Sequence, residues 1–344
     1  MEVCGGQTHA IVRWGLEQLL PAGLRLIHGP GCPVCVTPAA TIDQALALAA
    51  DSGVILCSYG DMLRVPGRGP VGPLSDLLKV RAGGGDVRLL TTPLQALGLA
   101  QQHPDRQVVF LAVGFETTAP ATALLAQQAL ALGVTNLSLL LAHVRVVPAM
   151  QAIMAGPHNQ VQGFVAAGHV CAVMGTAELE QLAARYRIPV VVGGFAPREL
   201  LQAIQVCVQL LEDGTPRVVN AYGRVVRPEG NPVARALLER VFAVADGPWR
   251  GLGTIAQGVL ELRTAYRHLD ARQRFGWLAA TPHHPALAAV AAAEGPCISA
   301  QVLQGLARPG DCPAFGTTCT PEHPLGAPMV SSEGACAAYY HYRP

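Results

Sequence analysis

Short apolar runs that alternate with helical stretches between residues 24 and 220 constrain the fold of this chain more than any other feature. Strands and helices in alternation are joined by right-handed crossovers, which place the strands side by side in parallel sheets. The pattern predicts strands at Leu24–His28, Gly53–Ser58, Val87–Leu90, Val108–Val113, Leu137–Ala142, Gly163–Ala167 and Pro189–Gly193. It predicts helices at Ala39–Ala50, Ala119–Leu132, Ala177–Tyr186 and Arg198–Leu211.

The composition agrees with sheets that are buried on both faces. Hydrophobic residues make up 51% of the chain and charged residues only 14%, which is typical of parallel sheets covered by helices. We predict two Rossmann-like α/β domains, residues 1–115 and 116–245, because "GPGC" and "GFETTAP" open two similar strand–turn–helix units. After residue 245 the strand signal fades, and four of the ten cysteines lie in the final 48 residues. Together these features predict a small, loop-rich C-terminal iron–sulfur module at 246–344.

Charge and hydropathy exclude several classes of function. The formal net charge is +1 without a basic block, so neither nucleic acid nor an acidic membrane surface is an expected partner. No apolar run reaches the roughly 18 residues of a membrane span, and no secretory leader precedes Cys4, so we expect a cytoplasmic protein. The only lysine, Lys79, does not follow a glycine-rich loop, which excludes a Walker A phosphate site.

The ten cysteines indicate metal or redox chemistry, because structural disulfides are rare in the cytoplasm. Four of them form a C-terminal group with the spacing C-x14-C-x6-C-x16-C, here called the cysteine quartet: Cys297, Cys312, Cys319 and Cys336. Four thiolates can hold a tetrahedral zinc ion or a [4Fe–4S] cluster. Structural zinc usually takes ligands in close pairs, so the wide spacing favours the cluster; zinc and unliganded thiols remain alternatives.

A second group, Cys32 and Cys35 in "GPGCPVC", follows a predicted strand and precedes a helix. The backbone N–H groups and the dipole at a helix N-terminus favour the thiolate form. The pair therefore suits reversible disulfide chemistry of the thioredoxin-like kind, or half of a metal site. A tight structural turn with unused thiols is the alternative.

The segment "CGGQTH" places Cys4 and His9 on a glycine-rich turn near the N-terminus. A soft thiolate and an imidazole suit iron, copper or zinc, and the glycines let the backbone approach a ligand closely. Glu333 lies just before Cys336 and is a further candidate. The simpler interpretations are a surface turn for the first pair and a solvated loop carboxylate for Glu333.

Three more candidates follow predicted strands, where open α/β sheets bind their ligands. Glu116 and Thr117 belong to "GFETTAP", and His169 belongs to "GHV". A helix cap explains the first two equally well, and a structural histidine explains the third. The remaining cysteines are predicted to be packed core residues: Cys57, Cys171 and Cys207.

Taken together, these motifs resemble the HypD family of [NiFe]-hydrogenase maturation factors. The resemblance rests on "EVCGGQTHAI", "HGPGCPVCVTP", "GFETTAP", "GHVCAVMG", "WRGLG" and "VSSEGACAAYY", which occur in family order over essentially the whole chain. Many family members have a histidine where this chain has Gln7, so we expect no ligand role at that position.

The resemblance implies two related α/β domains and a third domain whose cysteine quartet binds a [4Fe–4S] cluster. It implies that Cys4 helps to hold an iron ion, which acquires cyanide and CO ligands. It also implies that Cys32 and Cys35 are a redox-active pair between this iron and the cluster. Other motif positions around the cleft are matched by His9, Glu116, Thr117, His169 and Glu333.

The resemblance further implies partners. Family members act with the small chaperone HypC, and the two together hold the iron. Cyanide comes from HypE, which works with HypF, and the finished Fe(CN)2CO unit passes towards the hydrogenase large subunit. We therefore expect an assembly scaffold with redox activity rather than a conventional turnover enzyme. The competing classes are a stand-alone iron–sulfur thiol–disulfide oxidoreductase and a structural zinc scaffold.

Overall fold

A computed structural model describes residues 1–69, 72, 74–277 and 297–343. In this part of the chain, two parallel sheets and one antiparallel hairpin are surrounded by helices, which confirms the predicted α/β class with parallel sheets. The helices of seven residues or more among the described residues are Gly5–Arg13, Ala39–Ala49, Leu94–Gln102, Ala119–Ala131, Val146–Ala155, Gly168–Met174, Ala177–Tyr186, Pro197–Glu212, Pro232–Val241 and Ala335–Tyr342. Shorter helices are Pro33–Val36, Leu77–Ala82, Ala271–Arg274 and Ser299–Leu303.

Four parallel strands form the first sheet: β1 (Val54–Ser58), β2 (Val87–Leu89), β3 (Gln107–Gly114) and β4 (Leu137–His143). Their order across the sheet is β2-β1-β3-β4. Strands β1 and β4 are buried along their whole length, so the sequence shows them as continuous apolar runs. The last strand of this sheet lies beyond residue 115, and the predicted domain boundaries stay predictions.

Three parallel strands form the second sheet: β5 (Phe164–Ala167), β6 (Val190–Gly193) and β7 (Val218–Asn220). The chain start lies beside this sheet, where Glu2 forms isolated parallel bridges to His28 and to Val165. The predicted strand Leu24–His28 is wrong, since a single bridge is the extent of pairing there. The prediction misses β7 because all of its residues are only half-buried.

An antiparallel hairpin follows the second sheet and was not predicted. Its strands are β8 (Phe242–Trp249) and β9 (Gly253–Leu262). Buried and exposed residues mix along both strands, so neither shows the continuous apolar run of a strand in a parallel sheet. The hairpin lies against the first sheet, where Val144 and Val259 form a bridge.

The region predicted as a loop-rich module, residues 246–344, begins with the end of β8 and all of β9, so its first part is not loop-rich. Residues 297–343 are rich in turns. The last helix, Ala335–Tyr342, packs against the first helix of the chain, Gly5–Arg13. Val12 and Tyr339 belong to the buried cluster between them. The two ends of the chain therefore meet. No helix within the described ranges is long and apolar enough to cross a membrane.

Candidate metal and redox centre

Cys4 lies directly before the first helix, in an extended conformation, and is half-buried. Two glycines let distant segments approach it. A Cβ on Gly5 would lie 2.5 Å from the Cβ of Glu333, and a Cβ on Gly31 would collide with the backbone of Cys4. The Gly5 N–H also donates a hydrogen bond to the Gly31 carbonyl oxygen, at 2.8 Å. The fold therefore brings three predicted motifs together around Cys4.

The Cys4 thiol is in an environment that opposes ionisation in the absence of a cation. Burial raises its pKa to about 12, and the charges of Glu2 and Glu333 act in the same direction. Backbone N–H groups of Gln7 and Gly6 act against this shift. A bound cation would reverse the balance, because coordination favours the thiolate.

Cys32 and Cys35 form a disulfide in this structure, with Cα atoms 5.3 Å apart. Cys35 lies in the one-turn helix Pro33–Val36, and Cys32 is its N-cap, whose Sγ accepts a hydrogen bond from the Cys35 N–H at 3.2 Å. This confirms the predicted position of the pair at a helix N-terminus. Only 3% of Cys32 and none of Cys35 is exposed, so a large substrate has no direct access to the sulfur atoms.

His9 and Glu333 lie where the first helix meets the C-terminal region. His9 Nδ1 is 2.9 Å from the Ser332 carbonyl oxygen, and its ring packs edge-on against Tyr342. Glu333 keeps an exposed side, while desolvation by the atoms around it and the charge of Asp61 raise the pKa of its carboxyl group. The two predicted residues thus border the Cys4 segment from the C-terminal side.

His169 approaches the same segment from the second sheet. Its ring stacks on Phe195, with centroids 3.9 Å apart and planes 20° apart. A Cβ on Gly6 would lie 3.2 Å from that phenylalanine ring, so the stacked pair borders the Cys4 segment. Partial burial lowers the pKa of His169, which favours the neutral imidazole, the form that binds metals.

Glu116 is 2% exposed, whereas Thr117 is exposed. The carboxylate oxygens of Glu116 accept hydrogen bonds from the Val146 N–H at 3.1 and 3.3 Å. Glu116 therefore caps the helix Val146–Ala155 and not the helix that follows it in sequence. Burial raises the pKa of Glu116 to about 7, against the opposing charge of Arg145.

Cys171 is a thiol near this site that the sequence analysis treated as packing. Its pKa is raised to about 12, by burial first and then by the charges of Glu116 and Cys4, so the three groups are within electrostatic reach. Glu116 and Cys171 line one small cavity of about 20 Å³. No sequence signal separates Cys171 from Cys57 and Cys207, which are buried as predicted.

The cysteine quartet converges in the C-terminal region. Burial is the main cause of the raised pKa of Cys336, and the neighbouring thiols of Cys297, Cys319 and Cys312 add to it. The Leu325 N–H donates a hydrogen bond to Cys319 Sγ at 3.4 Å. A side chain on Gly326 would meet Cys297 Sγ, so glycine at this position leaves the room that the thiol needs.

The donor set of the quartet fits a [4Fe–4S] cluster. The four thiols interact electrostatically with one another, and the Leu325 N–H donates to one of the sulfur atoms, the kind of hydrogen bond that tunes the potential of such clusters. Within the described residues, no three His, Cys, Asp or Glu side chains are close enough to hold a single metal ion. Four cysteine thiolates are the usual ligand set of a [4Fe–4S] cluster.

Sequence reasoning missed a buried charged network beside Cys4. Glu2 is completely buried, and its carboxylate accepts hydrogen bonds from the Cys4 N–H at 2.9 Å and from the Thr8 hydroxyl at 2.5 Å. The same carboxylate lies 2.8 Å from His28 Nδ1. The other ring nitrogen, Nε2, lies 3.3 Å from the Tyr339 hydroxyl. The network connects the Cys4 segment to the last helix, which also carries Cys336.

His28 is the protonated centre of this network. Burial by itself lowers its pKa, but hydrogen bonds to Glu17 and Glu2, together with their charges, outweigh burial and raise the pKa to about 9. Glu17 in turn accepts a hydrogen bond from the Tyr339 hydroxyl at 3.2 Å and pairs with Arg343. The chain thus holds the His28 cation between two carboxylates at an almost completely buried position.

Gln7 has a structural role. Its amide nitrogen lies 3.1–3.3 Å from three backbone carbonyl oxygens and donates to them; they belong to Ala166, Gly193 and Gly194. These carbonyls lie at or just after the carboxyl ends of β5 and β6. Gln7 therefore fastens the first helix to the second sheet.

The fold and the site define a thiol-rich α/β protein whose cysteines form one group around Cys4 and another near the C-terminus. Comparison with known proteins identifies the family to which this protein belongs. The family model HypD, described as "Hydrogenase formation hypA family", matches residues 1–343. The chain belongs to the HypD family of hydrogenase maturation factors.

Individual relatives agree with this assignment. The chain is 47% identical over 349 residues to "Hydrogenase maturation factor HypD" of Azotobacter vinelandii, which covers 99% of this chain and 88% of the relative. It is 43% identical over 345 residues to the protein of the same name from Escherichia coli K12, covering 100% of this chain and 88% of the relative.

Proposed function

We propose that this chain is the scaffold on which, together with a HypC-type small chaperone, the Fe(CN)2CO part of the [NiFe]-hydrogenase cofactor is assembled. The iron is cargo, and Cys4 is the residue that holds it. One observation carries the proposal. The Gly31 and Gly5 contacts bring together the segments that carry Cys4, the Cys32–Cys35 pair and Glu333.

Cys4 suits an iron that carries cyanide and CO. Such an iron needs soft, electron-rich donors, and a thiolate is one. The half-buried position of Cys4 leaves an open side, from which a partner protein can add a second donor. The remaining coordination positions are then free for the diatomic ligands.

The Cys32–Cys35 pair is the two-electron redox group of the site. Reduction of its disulfide breaks the S–S bond, takes up two electrons and two protons, and yields two thiols; re-oxidation returns both electrons to the acceptor. A [4Fe–4S] cluster bound by the cysteine quartet would supply one-electron transfer. The burial of Cys35 keeps adventitious thiols away from the pair.

The other predicted residues surround the cargo and position it. His169 offers a neutral imidazole beside the Cys4 segment, and His9 and Glu333 border it from the C-terminal side. The pKa of Glu116 is raised to about 7, so its carboxyl group can take up or release a proton near neutral pH. Thr117 follows Glu116 and is exposed. A partner protein would therefore approach the Glu116 carboxyl group at Thr117.

The expected partners follow from this role. They are a HypC-type chaperone at Cys4, HypE with HypF as the source of cyanide, and the hydrogenase large subunit as the indirect acceptor of the finished unit. We propose that the assembly takes place in the cytoplasm. A stand-alone thiol–disulfide oxidoreductase is the less favoured function, because Cys32 and Cys35 are almost completely buried.

The experiment is infrared spectroscopy of the chain co-purified anaerobically with its small partner. The Cys4→Ala variant is expected to lose the cyanide and CO bands. The matched control is Cys207→Ala, which removes a buried thiol in another core cluster and is expected to keep them. Bands of unchanged intensity in the Cys4→Ala complex would refute the assignment of the iron.

The cluster is tested separately. Anaerobically purified protein is expected to contain iron and acid-labile sulfide, and Cys319→Ala to contain much less of both. One zinc ion per chain without sulfide would refute the proposed cluster. The assignment of Cys4 would then still be decided by the infrared experiment.

A further inference from the structure

Phe195 borders the Cys4 segment and has no role in the function proposed above. It lies half-buried in the loop between β6 and the helix Pro197–Glu212. The carboxylate of Glu199 accepts hydrogen bonds from the Phe195 N–H at 3.0 Å and from the next N–H along the chain at 3.1 Å. The Gln7 amide donates to the carbonyl oxygens of the two residues before Phe195, at 3.1 and 3.2 Å. The backbone around Phe195 is therefore fastened to the first helix, which carries Gln7.

The Phe195 ring lies between the second sheet and the first helix. One face stacks on the ring of His169, with centroids 3.9 Å apart and planes 20° apart. The buried ring of Tyr222 meets it edge-on, with centroids 6.2 Å apart. An edge of the Phe195 ring lies against Gly6, where a Cβ would be 3.2 Å from Cε1 and 3.3 Å from Cδ1. The ring is thus enclosed on these three sides.

Gly6 also brings the ring close to the sulfur atom of Cys4. The Cβ position of Gly6 lies 3.9 Å from Cys4 Sγ, so the sulfur atom and the edge of the ring are both within 4 Å of one point. Gly6 belongs to the first turn of the helix Gly5–Arg13, where alanine would be the better helix former. The close approach of ring and thiol is a physical reason for glycine at this position.

Packing of the second sheet against the first helix is the simpler explanation of these contacts. Two features favour a role in the site as well. The ring touches two groups of the site itself, since His169 stacks on one face and the Cys4 thiol lies across Gly6. His169 is exposed, so its stacked orientation adds little to the core, but it fixes an imidazole that would otherwise exchange between rotamers.

We propose that Phe195 is a positioning residue of the Cys4 site: its ring fixes the imidazole of His169 and, across Gly6, closes one side of the Cys4 thiol. A ligand or partner then reaches the thiol from the remaining open side, with the imidazole in a defined place. What Cys4 binds rests on the function proposed above; the effect of Phe195 on the thiol does not.

The experiment measures how fast iodoacetamide alkylates Cys4 in the full chain. The chain is purified anaerobically from cells that lack the small partner, so that no cargo covers the thiol, and labelling is followed by mass spectrometry of the peptides. Phe195→Ala is expected to raise the rate at Cys4 about tenfold, because the closed side opens. Phe195→Tyr keeps the ring and is expected to stay within about twofold of the wild type. Equal rates at Cys4 in the wild type and Phe195→Ala would overturn the proposal.

Cys207 is the internal control for a merely structural effect. It is buried in the helix Pro197–Glu212, which follows the Phe195 loop, and it belongs to another core cluster. If Phe195→Ala only loosened this helix, alkylation would rise at Cys207 as well, and this result would refute the proposal. Phe275→Ala removes another half-buried ring and is expected to leave the Cys4 rate within about twofold of the wild type.

Gly6→Ala tests the same contact with the opposite sign. Its methyl group would lie 3.9 Å from the sulfur atom and 3.2 Å from the ring, so it covers the thiol and is expected to slow alkylation of Cys4 about threefold or more. The control is Gly98→Ala in the helix Leu94–Gln102, where the added Cβ would meet no described atom within 4 Å outside the neighbouring backbone and the rate is expected to stay the same. Unchanged or faster labelling of Cys4 in Gly6→Ala would contradict the proposed contact, and this test holds even if Phe195→Ala does not fold.

The stacked imidazole is observed directly by NMR of the chain labelled with 13C at histidine. The ring protons of His169, identified by their loss in His169→Gln, are expected upfield of those of the exposed His268, because they lie over the face of the phenyl ring. They are expected to move downfield in Phe195→Ala and to stay in place in Phe195→Tyr. Signals that do not move in Phe195→Ala would refute the positioning of His169.

The outcomes separate this proposal from the proposed function. Cys4 labelling that responds to Phe195, in a protein whose Cys4→Ala variant still retains Fe(CN)2CO, would keep the role of Phe195 and remove the cargo from Cys4. Loss of Fe(CN)2CO in Cys4→Ala, with labelling that does not respond to Phe195, would keep the function and remove this proposal.

Discussion

Because His28 is protonated in the folded chain, we expect the free energy of unfolding to fall as the pH rises. The pKa of His28 is raised from 6.5 to about 9 in the folded chain by Glu17 and Glu2, in spite of burial. The folded state therefore holds this proton more tightly than the unfolded state. The resulting stabilisation is fully present below the unfolded pKa of 6.5 and disappears as the pH rises through about 9.

The size of the effect follows from the pKa shift. The difference between 6.5 and about 9 corresponds to roughly 3 kcal/mol in the free energy of unfolding. His28→Gln removes the titrating group and is expected to remove this slope. It also leaves the buried Glu2 carboxylate without its cation, which typically costs about 3–5 kcal/mol.

The assay is urea unfolding at about pH 6 and at about pH 8.5. The upper pH is kept at this value because the thiols of the unfolded chain would ionise fully at higher pH and add to the slope. The wild type is expected to lose stability over this interval by roughly 2–3 kcal/mol more than His28→Gln. His268→Gln, at an exposed histidine, is the control and should behave as the wild type does. Equal pH slopes for the wild type and His28→Gln would refute the reasoning.

Three further predictions concern single positions. Gly31→Ala places a Cβ against the Cys4 backbone and is expected to cost roughly 1–3 kcal/mol in urea unfolding, whereas Gly23→Ala, in open space, should cost much less; equal costs would contradict the close approach. The pKa of Glu116 is raised from 4.5 to about 7. Protonated Glu116 therefore stabilises the fold fully below pH 4.5, and this stabilisation is lost as the pH rises through about 7. Between about pH 4 and about pH 8, the free energy of unfolding of Glu116→Gln, followed by thermal unfolding, should rise by roughly 3 kcal/mol relative to that of the wild type. No relative gain would show that this carboxyl titrates normally. Gln7→Leu leaves three backbone carbonyls without their donor and should lower the free energy of unfolding by roughly 1–3 kcal/mol; an unchanged urea midpoint would mean that water replaces the amide.

Strand prediction succeeded where a strand is buried on both faces. Strands β1, β3 and β4 appear in the sequence as continuous apolar runs because helices cover both sides of the first sheet. The hairpin β8–β9 was missed because its burial is partial and irregular. The apolar segment Leu24–His28 has the pattern of a strand, yet it forms a single bridge. The residue beside β5 is Glu2, which bridges Val165 on one side and His28 on the other.

The sequence predicted the thiols of the candidate site, and that prediction stays a prediction, whereas it did not point to the groups that surround them. Spacing alone separated Cys32 and Cys35 from the packed thiols, because a pair at a helix N-terminus has a recognisable pattern. Nothing in the local sequence distinguishes Glu2 or His28 from surface residues. Their roles arise from contacts with residues far away along the chain, such as Tyr339 with His28 at 3.3 Å.

The sequence by itself determined the α/β class, the two groups of cysteines and the family, because these depend on residue type and spacing along the chain. Only the tertiary structure decided which groups meet. It placed Gly31 against Cys4, Cys171 beside Glu116, and the carboxylate of Glu2 under the Cys4 backbone. The physical reason is that burial and electrostatic shifts depend on neighbours in space, and these neighbours come from segments that no local pattern relates.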